Sequence, residues 1–251
     1  MSRWLTASLS AVALAAFAPA VRAADDDPKD IVAKAIKAHG GEDVLGKNQA
    51  GQSKNKGKIN IPGVGEVDFT QETSFMLPDK FKESMELKIA GQNISLQTLV
   101  NGDKATIEVN GKEVDVPDAA KAALKDVGHL LKVGRLVALK DKGYELSLIG
   151  EDKVEGKKVV GIRVSKKDQK DISLYFDKET HLLAKIEHRS ADPTTGNEIT
   201  EERIVTEYGK NKDGVPVPKK VIVKHDGKQF LEAEVLEVKF LEKLDESEFK
   251  K

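Results

Sequence analysis

Five histidines are the side chains in this sequence best suited to metal binding or acid–base chemistry. They are His39, His129, His181, His188 and His225. No two of them have the close spacing that places paired metal ligands on one face of a helix. His181 and His188 are seven residues apart, a spacing that puts them on opposite faces of a strand. The histidines predict no metal site, and we expect the protein to need no metal or other cofactor.

Covalent catalysis also lacks a recognisable setting in the chain. There is no cysteine, which excludes thiolate catalysis, disulfides and cysteine-ligated metals. No Gly-x-Ser-x-Gly nucleophile elbow occurs. The glycines of Pro62-Gly63-Val64-Gly65 lack the strand-then-helix context of a phosphate-binding loop. We therefore assign no catalytic residue and expect the protein not to be an enzyme.

The first 23 residues have the pattern of a targeting segment. Arg3 supplies a positive charge, an apolar run extends from Leu5 to Ala18, and Val21-Arg22-Ala23 gives a cleavage site with small residues, after which the mature chain begins at Ala24. The apolar run of about 14 residues is shorter than the roughly 20 that span a bilayer. The pattern predicts a signal peptide over 1–23 and export to the periplasm or the exterior. The mature chain, 24–251, is then expected to be soluble and to have no transmembrane segment.

The mature chain is close to electrically neutral. Of the 41 lysines and arginines, Arg3 and Arg22 fall in the removed segment, which leaves 39 basic residues against 42 acidic ones. This balance is not that of a nucleic-acid-binding protein. A chain of this length, with no linker or repeat, is expected to form a single domain.

Three consecutive segments carry apolar residues at every second position: Gly65 to Met76, Lys80 to Ile89 and Asn93 to Val100. Short links with Pro78-Asp79 and Gly91 join them. This period predicts an antiparallel meander with one apolar and one polar face. Either core helices or a bound apolar molecule must cover the apolar face, and the spacing leaves both possibilities open.

Helical patterns occur at two places in an otherwise strand-rich chain. Asp27-Pro28 predicts a helix start and Gly40-Gly41 its end. From Pro117 to Lys140 the period changes to about 3.6, which predicts a broken helix pair with an apolar stripe. Alternation resumes at Tyr144 and continues almost to the C-terminus, where Asp245 to Glu248 predicts a short capped turn. The fold class is therefore mainly β with a helical component (α+β).

Several short segments together resemble the outer-membrane lipoprotein-sorting (LolA-like) family of bacterial envelope proteins. They are Ala38-His39-Gly40-Gly41, the segment from Asp177 to Leu183, Asp213-Gly214-Val215-Pro216-Val217-Pro218, and the closing segment from Leu244 to Phe249. The resemblance covers nearly the whole mature chain. It implies an unclosed antiparallel half-barrel of about a dozen strands, with its hollow covered by helices.

In that family the hollow holds acyl chains. The resemblance therefore implies a periplasmic or secreted carrier or chaperone that binds lipid or lipoprotein acyl chains. The implied lining comprises Phe69, Phe75, Phe81, Met85, Leu87 and Leu96 on the sheet, with Leu124, Val127, Leu130, Leu131 and Val137 on the helical lid. Alternatively, these residues pack on one another. The protein would then be an envelope interaction or sensor module that binds a protein partner and no lipid cargo.

Overall fold

The computed structural model of the protein describes residues 27–115, 117–192 and 195–250. Over these residues the chain forms 13 strands in one antiparallel sheet, together with four α-helices and two 3₁₀ turns. The predicted signal peptide and its cleavage after Ala23 lie outside the described residues. Within those residues, no helix combines the length and apolar character needed to cross a membrane.

The strands follow one another in space almost as they do in sequence. They are β1 Ala50–Ile61, β2 Gly65–Met76, β3 Lys80–Ile89, β4 Gln92–Asn101, β5 Lys104–Val109, β6 Lys112–Val114, β7 Glu145–Val154, β8 Lys157–Ser165, β9 Ile172–Asp177, β10 Leu183–Ala191, β11 Glu198–Lys210, β12 Pro216–His225 and β13 Lys228–Leu241. The order is β6-β5-β4-β3-β2-β1-β13-β12-β11-β10-β9-β8-β7. Pairing of β1 with β13 joins the two halves, while β6 and β7 form the two edges. The sheet is thus not closed, which confirms the predicted open half-barrel.

The alternation seen in the sequence sorts each strand onto two faces. Phe69 lies opposite Leu87, and Phe75 lies opposite Phe81. Because directly opposed residues point to the same side of a sheet, these four share one face, which we call the inner face. The opposite side is the outer face. The bounds of β2 and β3 agree with the sequence prediction.

Helix α1 spans Pro28–Ala38, and Asp27 is its N-cap. The Asp27 carboxylate accepts a hydrogen bond from the Lys29 amide at 2.9 Å. The helix buries an apolar stripe of Ile31, Val32, Ala35 and Ile36. Helix α2, Glu42–Lys47, follows at once and was not predicted. The predicted helix pair is α3, Asp118–Lys125, and α4, Val127–Gly134, followed by a 3₁₀ turn, Val137–Lys140.

The main core lies between these helices and one half of the sheet. It contains the buried stripe of α1, Leu130 and Val133 of α4, and inner-face residues of β8, β9 and β10. A second cluster is built from strands alone: Ile59, Val67, Phe69, Met85, Leu87 and Ala233. The helices are therefore anchored on the C-terminal half of the sheet.

The C-terminal 3₁₀ turn, Glu246–Phe249, packs on the outer face. The Asp245 carboxylate caps it by accepting from the Ser247 amide at 2.8 Å. Phe249 is fully buried in a cluster with Ala50, Met76 and Leu99. The predicted capped turn is thus present, and Phe249 holds it against the sheet.

Candidate functional site

The sheet curls strongly around its inner face. Helix α3 contacts both β5 and β10, which are separated by eight inter-strand steps in the sheet order. Eight steps correspond to about 38 Å along a flat sheet, whereas a helix of eight residues is about 12 Å long. The part of the sheet around β5 and the part around β10 must therefore approach each other. We call these parts the two walls, and α3 spans the hollow between them.

Helix α4 lies between the two walls and packs against both. Its Leu130 and Val133 face the main core on β8–β10. On another side, a Cβ added to Gly128 would lie 2.2 Å from the carbonyl oxygen of Pro78, so the helix approaches the β2–β3 link closely. Residues three and four apart share a helix face. Leu131 therefore lies on the same side as Gly128, which faces the meander.

The six predicted lining residues of the sheet fall into two groups. Phe69, Met85 and Leu87 are 3%, 6% and 4% exposed and belong to the strand-only cluster. Phe75, Phe81 and Leu96 remain partly exposed on the same face. The first group is packed already, so a ligand would meet the second group.

An aromatic row crosses the inner face near the β2–β3 link. Phe240 lies opposite Gly51, Gly51 opposite Phe75, and Phe75 opposite Phe81. A Cβ at Gly51 would be 2.6 Å from the Phe75 ring, so glycine lets this ring lie flat over the strand. All three phenylalanines are partly exposed. Phe240 was not among the predicted lining residues, although it alternates with Val238 along β13.

The five predicted lid residues also fall into two groups, one in the core and one partly exposed. Leu130 is 7% exposed and is a core residue, and Val137 packs against the same core. Leu124, Val127 and Leu131 are partly exposed. The structure thus places Leu130 and Val137 in a cluster separate from Phe69, Met85 and Leu87. Their role as ligand contacts stays a prediction.

The sequence analysis missed a polar network in the middle of the inner face. Ser53 and Thr73 share a hydrogen bond of 2.6 Å, and Asn55 donates to Gln71 at 2.8 Å. Gln71 in turn donates to Glu83 at 2.7 Å. The available signal was that Gln71 and Glu83 interrupt the apolar alternation of β2 and β3.

Charged groups on the opposite wall face this network. Arg203 of β11 donates to Glu201 at 2.6 Å, and His225 lies 3.5 Å from the same carboxylate. Burial alone would raise the pKa of Glu201, but Arg203, His225 and His188 together outweigh burial, and the pKa falls well below its usual range. Burial raises the pKa of Glu83, opposed by the Arg203 charge. The hollow therefore has an ionic middle and more apolar ends.

The outer face carries a different depression. A groove of about 310 Å³ lies beside the C-terminal turn. Its lining is polar or charged throughout: Gln52, Ser53, Lys54, Glu72, Thr73, Ser74, Lys82, Ser84, Glu237, Lys239 and Glu248. Such a lining does not suit an acyl chain.

Among the described residues, no three histidine, aspartate or glutamate side chains converge so that they could hold a metal ion. The expectation that the protein works without a metal stays a prediction.

An open antiparallel half-barrel, crossed by helices on its inner face, is the class of protein that these features define. A LolA superfamily protein from Nitrosomonas europaea superposes with a TM-score of 0.53 at 10% identity, over 89% of this chain and 97% of that one. A DUF1329 family protein from Desulfovibrio piger superposes with a TM-score of 0.51 at 14% identity, over 89% and 98%. No protein-family model and no curated protein matches the sequence. At these identities the likeness concerns the fold, and it confirms the LolA-like resemblance at that level.

Proposed function

We propose that the protein is a carrier that binds acyl chains of a lipid or lipoprotein in the hollow of its half-barrel. The observation that carries this proposal is the partly exposed apolar surface on both sides of the hollow. Phe75 and Phe81 supply it on the sheet, and Leu131 supplies it on α4. A close-packed core would bury such side chains against one another. Here they retain surface that a bound chain would cover.

The energetics favour an acyl chain over a polar ligand at this surface. Each methylene removed from water contributes about 0.8 kcal/mol, so a long chain gains several kcal/mol even when part of it stays exposed. The helices keep a ligand-independent anchor, because Leu130 and Val133 pack on β8–β10. Leu131, on the meander-facing side of α4, is not part of this anchor.

Fold likeness and sequence patterning support the same assignment. A superposed protein carries the LolA superfamily name, and the N-terminal pattern of residues 1–23 is that of an export signal. We therefore propose that the carrier acts in the periplasm or outside the cell. We further propose that it acts by binding and release, without catalysis and without a cofactor.

A binding experiment on the purified mature chain tests the proposal. Organic extraction followed by mass analysis should recover copurified lipid, and a fluorescent fatty-acid probe should bind saturably to delipidated protein. Phe81→Ala should weaken probe binding about 5- to 30-fold, since a partly buried phenylalanine contributes about 1 to 2 kcal/mol of apolar contact. Val64→Ala, in the exposed β1–β2 turn, is the control and should leave the affinity unchanged.

A delipidated protein that never binds the probe, and that yields no lipid on extraction, would refute the carrier function. The protein-binding module of the same fold would then remain.

A further inference from the structure

Arg135 is a partly buried cation that lacks an anionic partner among the described residues. It follows the last residue of α4. Its terminal nitrogen Nη2 donates to the carbonyl oxygen of Leu45 at 2.7 Å. Its Nε is buried and has no hydrogen-bond partner among the described residues. No ion pair joins it to any aspartate or glutamate in that part of the chain.

The other described arginines differ from Arg135 in this respect. Arg203 is paired with Glu201 at 2.6 Å, and Arg189 lies 3.6 Å from Glu198 with 60% of its side chain exposed. Arg163 is exposed on the outer face. A buried guanidinium normally has a carboxylate or a set of acceptors around it, because removing an unpaired charge from water is costly. Among the described residues, the guanidinium of Arg135 has a single hydrogen-bond acceptor, the carbonyl oxygen of Leu45.

The position of Arg135 connects it to the proposed binding surface. Its guanidinium carbon lies 5.7 Å from the centre of the Phe240 ring, and Phe240 is the end of the aromatic row that continues through Phe75 to Phe81. A chain lying along this row would bring its head group to Arg135. Burial lowers the pKa of Arg135 to about 10, so the side chain is still protonated at neutral pH.

We propose that Arg135 binds the anionic head group, a carboxylate or a phosphate, of the amphiphile whose acyl chain occupies the hollow. This inference rests on the proposed carrier function and specifies its ligand class. The planar guanidinium offers paired N–H donors that match the oxygens of either anion. The bound anion would supply the missing partner of the buried Nε and neutralise the partly buried charge.

The test uses three probes with the same hexadecyl chain length: palmitate, hexadecyl phosphate and uncharged hexadecanol. Each is titrated into delipidated mature protein at neutral pH by competition with a fluorescent fatty acid. The unmutated protein should bind at least one of the two anions about 10- to 100-fold more tightly than hexadecanol, the range expected for a charge-assisted hydrogen-bond pair. The preferred anion identifies whether the head group is a carboxylate or a phosphate.

Variants then assign the preference to the residue. Arg135→Gln should abolish the preference and leave hexadecanol binding unchanged, while Arg135→Lys should retain part of it because the charge remains. Arg163→Gln, which removes an arginine from the outer face, should retain all of it. Should Arg135→Gln fail to fold, the comparison of probes on the unmutated protein and on Arg135→Lys still decides.

The outcomes separate the two proposals. Equal binding of charged and uncharged probes by the unmutated protein would overturn the role of Arg135 while the carrier function stands. A preference that survives in Arg135→Gln would overturn it as well. Failure of all three probes to bind would refute the carrier function itself.

Discussion

His39 connects α1 to two strands of the sheet. Its Nδ1 lies 2.8 Å from the carbonyl oxygen of Ala35, and the amide of Leu183 donates to its Nε2 at 3.4 Å. The Tyr208 hydroxyl is 3.5 Å from the same Nε2 and donates to the Leu183 carbonyl at 2.9 Å. Since Nε2 accepts, the proton of the neutral ring sits on Nδ1. The segment Ala38-His39-Gly40-Gly41 therefore has a structural role.

A pH dependence follows from this histidine. Burial lowers the pKa of His39, although its bond to Ala35 partly opposes the shift. A base whose pKa is lower in the folded state binds its proton more readily when unfolded. The stability contributed by His39 is therefore fully present above pH 6.5, the ordinary pKa of the side chain, and is lost as the pH falls from that value through the lowered pKa of the folded state. Urea melts from neutral to mildly acidic pH should show the decline.

The variant His39→Gln should have a flatter stability profile over the same pH window. His181→Asn is the matched control, because His181 lies partly exposed in the turn before β10. Its profile should follow that of the unmutated protein. A decline in His39→Gln as steep as in the unmutated protein would show that another group is responsible.

At the scale of elements, α4 packs into the main core on one side and faces the hollow on another. Leu130 and Leu131 are neighbours in sequence, yet Leu130 is 7% exposed in the main core and Leu131 is partly exposed on the side of Gly128. Adjacent residues on a helix point about 100° apart, so the two leucines serve different walls. They can therefore be tested separately.

Leu130→Ala should lower the free energy of unfolding by about 2 to 4 kcal/mol, because it leaves a void in a packed core. Leu131→Ala should lower it by less than about 1 kcal/mol, while weakening fatty-acid probe binding several-fold. Urea melts and probe titrations on both variants provide the comparison. Equal destabilisation by the two substitutions, with no effect on probe binding, would place both leucines in the core and remove α4 from the binding surface.

The sequence was sufficient to locate most elements. Period-two alternation predicted β2 and β3 with their observed bounds, and Asp27-Pro28 predicted the start of α1. Helix α2 was missed because a six-residue segment, Glu42–Lys47, is too short to show a period. The apolar stripe of Pro117–Lys140 was also recognised. Which wall each of its leucines contacts depends on how the sheet curls, and periodicity does not contain that information.

At the scale of the whole molecule, curling of the sheet creates the hollow. Arg135 and Phe240, for example, are far apart in sequence, and nothing in the local pattern of either predicts that they meet. The same holds for α3, which contacts β5 and β10 at once. Short-range signals specify strands and turns, whereas the hollow comes from long-range closure. This is why Phe240 and Arg135 were absent from the predicted site. The polar network, in contrast, joins neighbouring strands and was missed although Gln71 and Glu83 interrupt the apolar alternation.

A test of the curl uses two charges on opposite walls. Glu83 lies on β3 and Arg203 on β11, five inter-strand steps apart in the sheet. Across a flat sheet the separation would be about 24 Å, beyond the screening length of roughly 8 Å at physiological salt, and the two charges would not interact. In the curled sheet Arg203 opposes the rise in the pKa of Glu83, so a double-mutant cycle of Glu83→Gln and Arg203→Gln should give a coupling free energy of about 0.5 to 2 kcal/mol. A parallel cycle of Lys82→Gln and Arg203→Gln, with Lys82 on the outer face, should give none. Strictly additive effects of Glu83→Gln and Arg203→Gln on the free energy of unfolding would mean that the walls stay apart in solution.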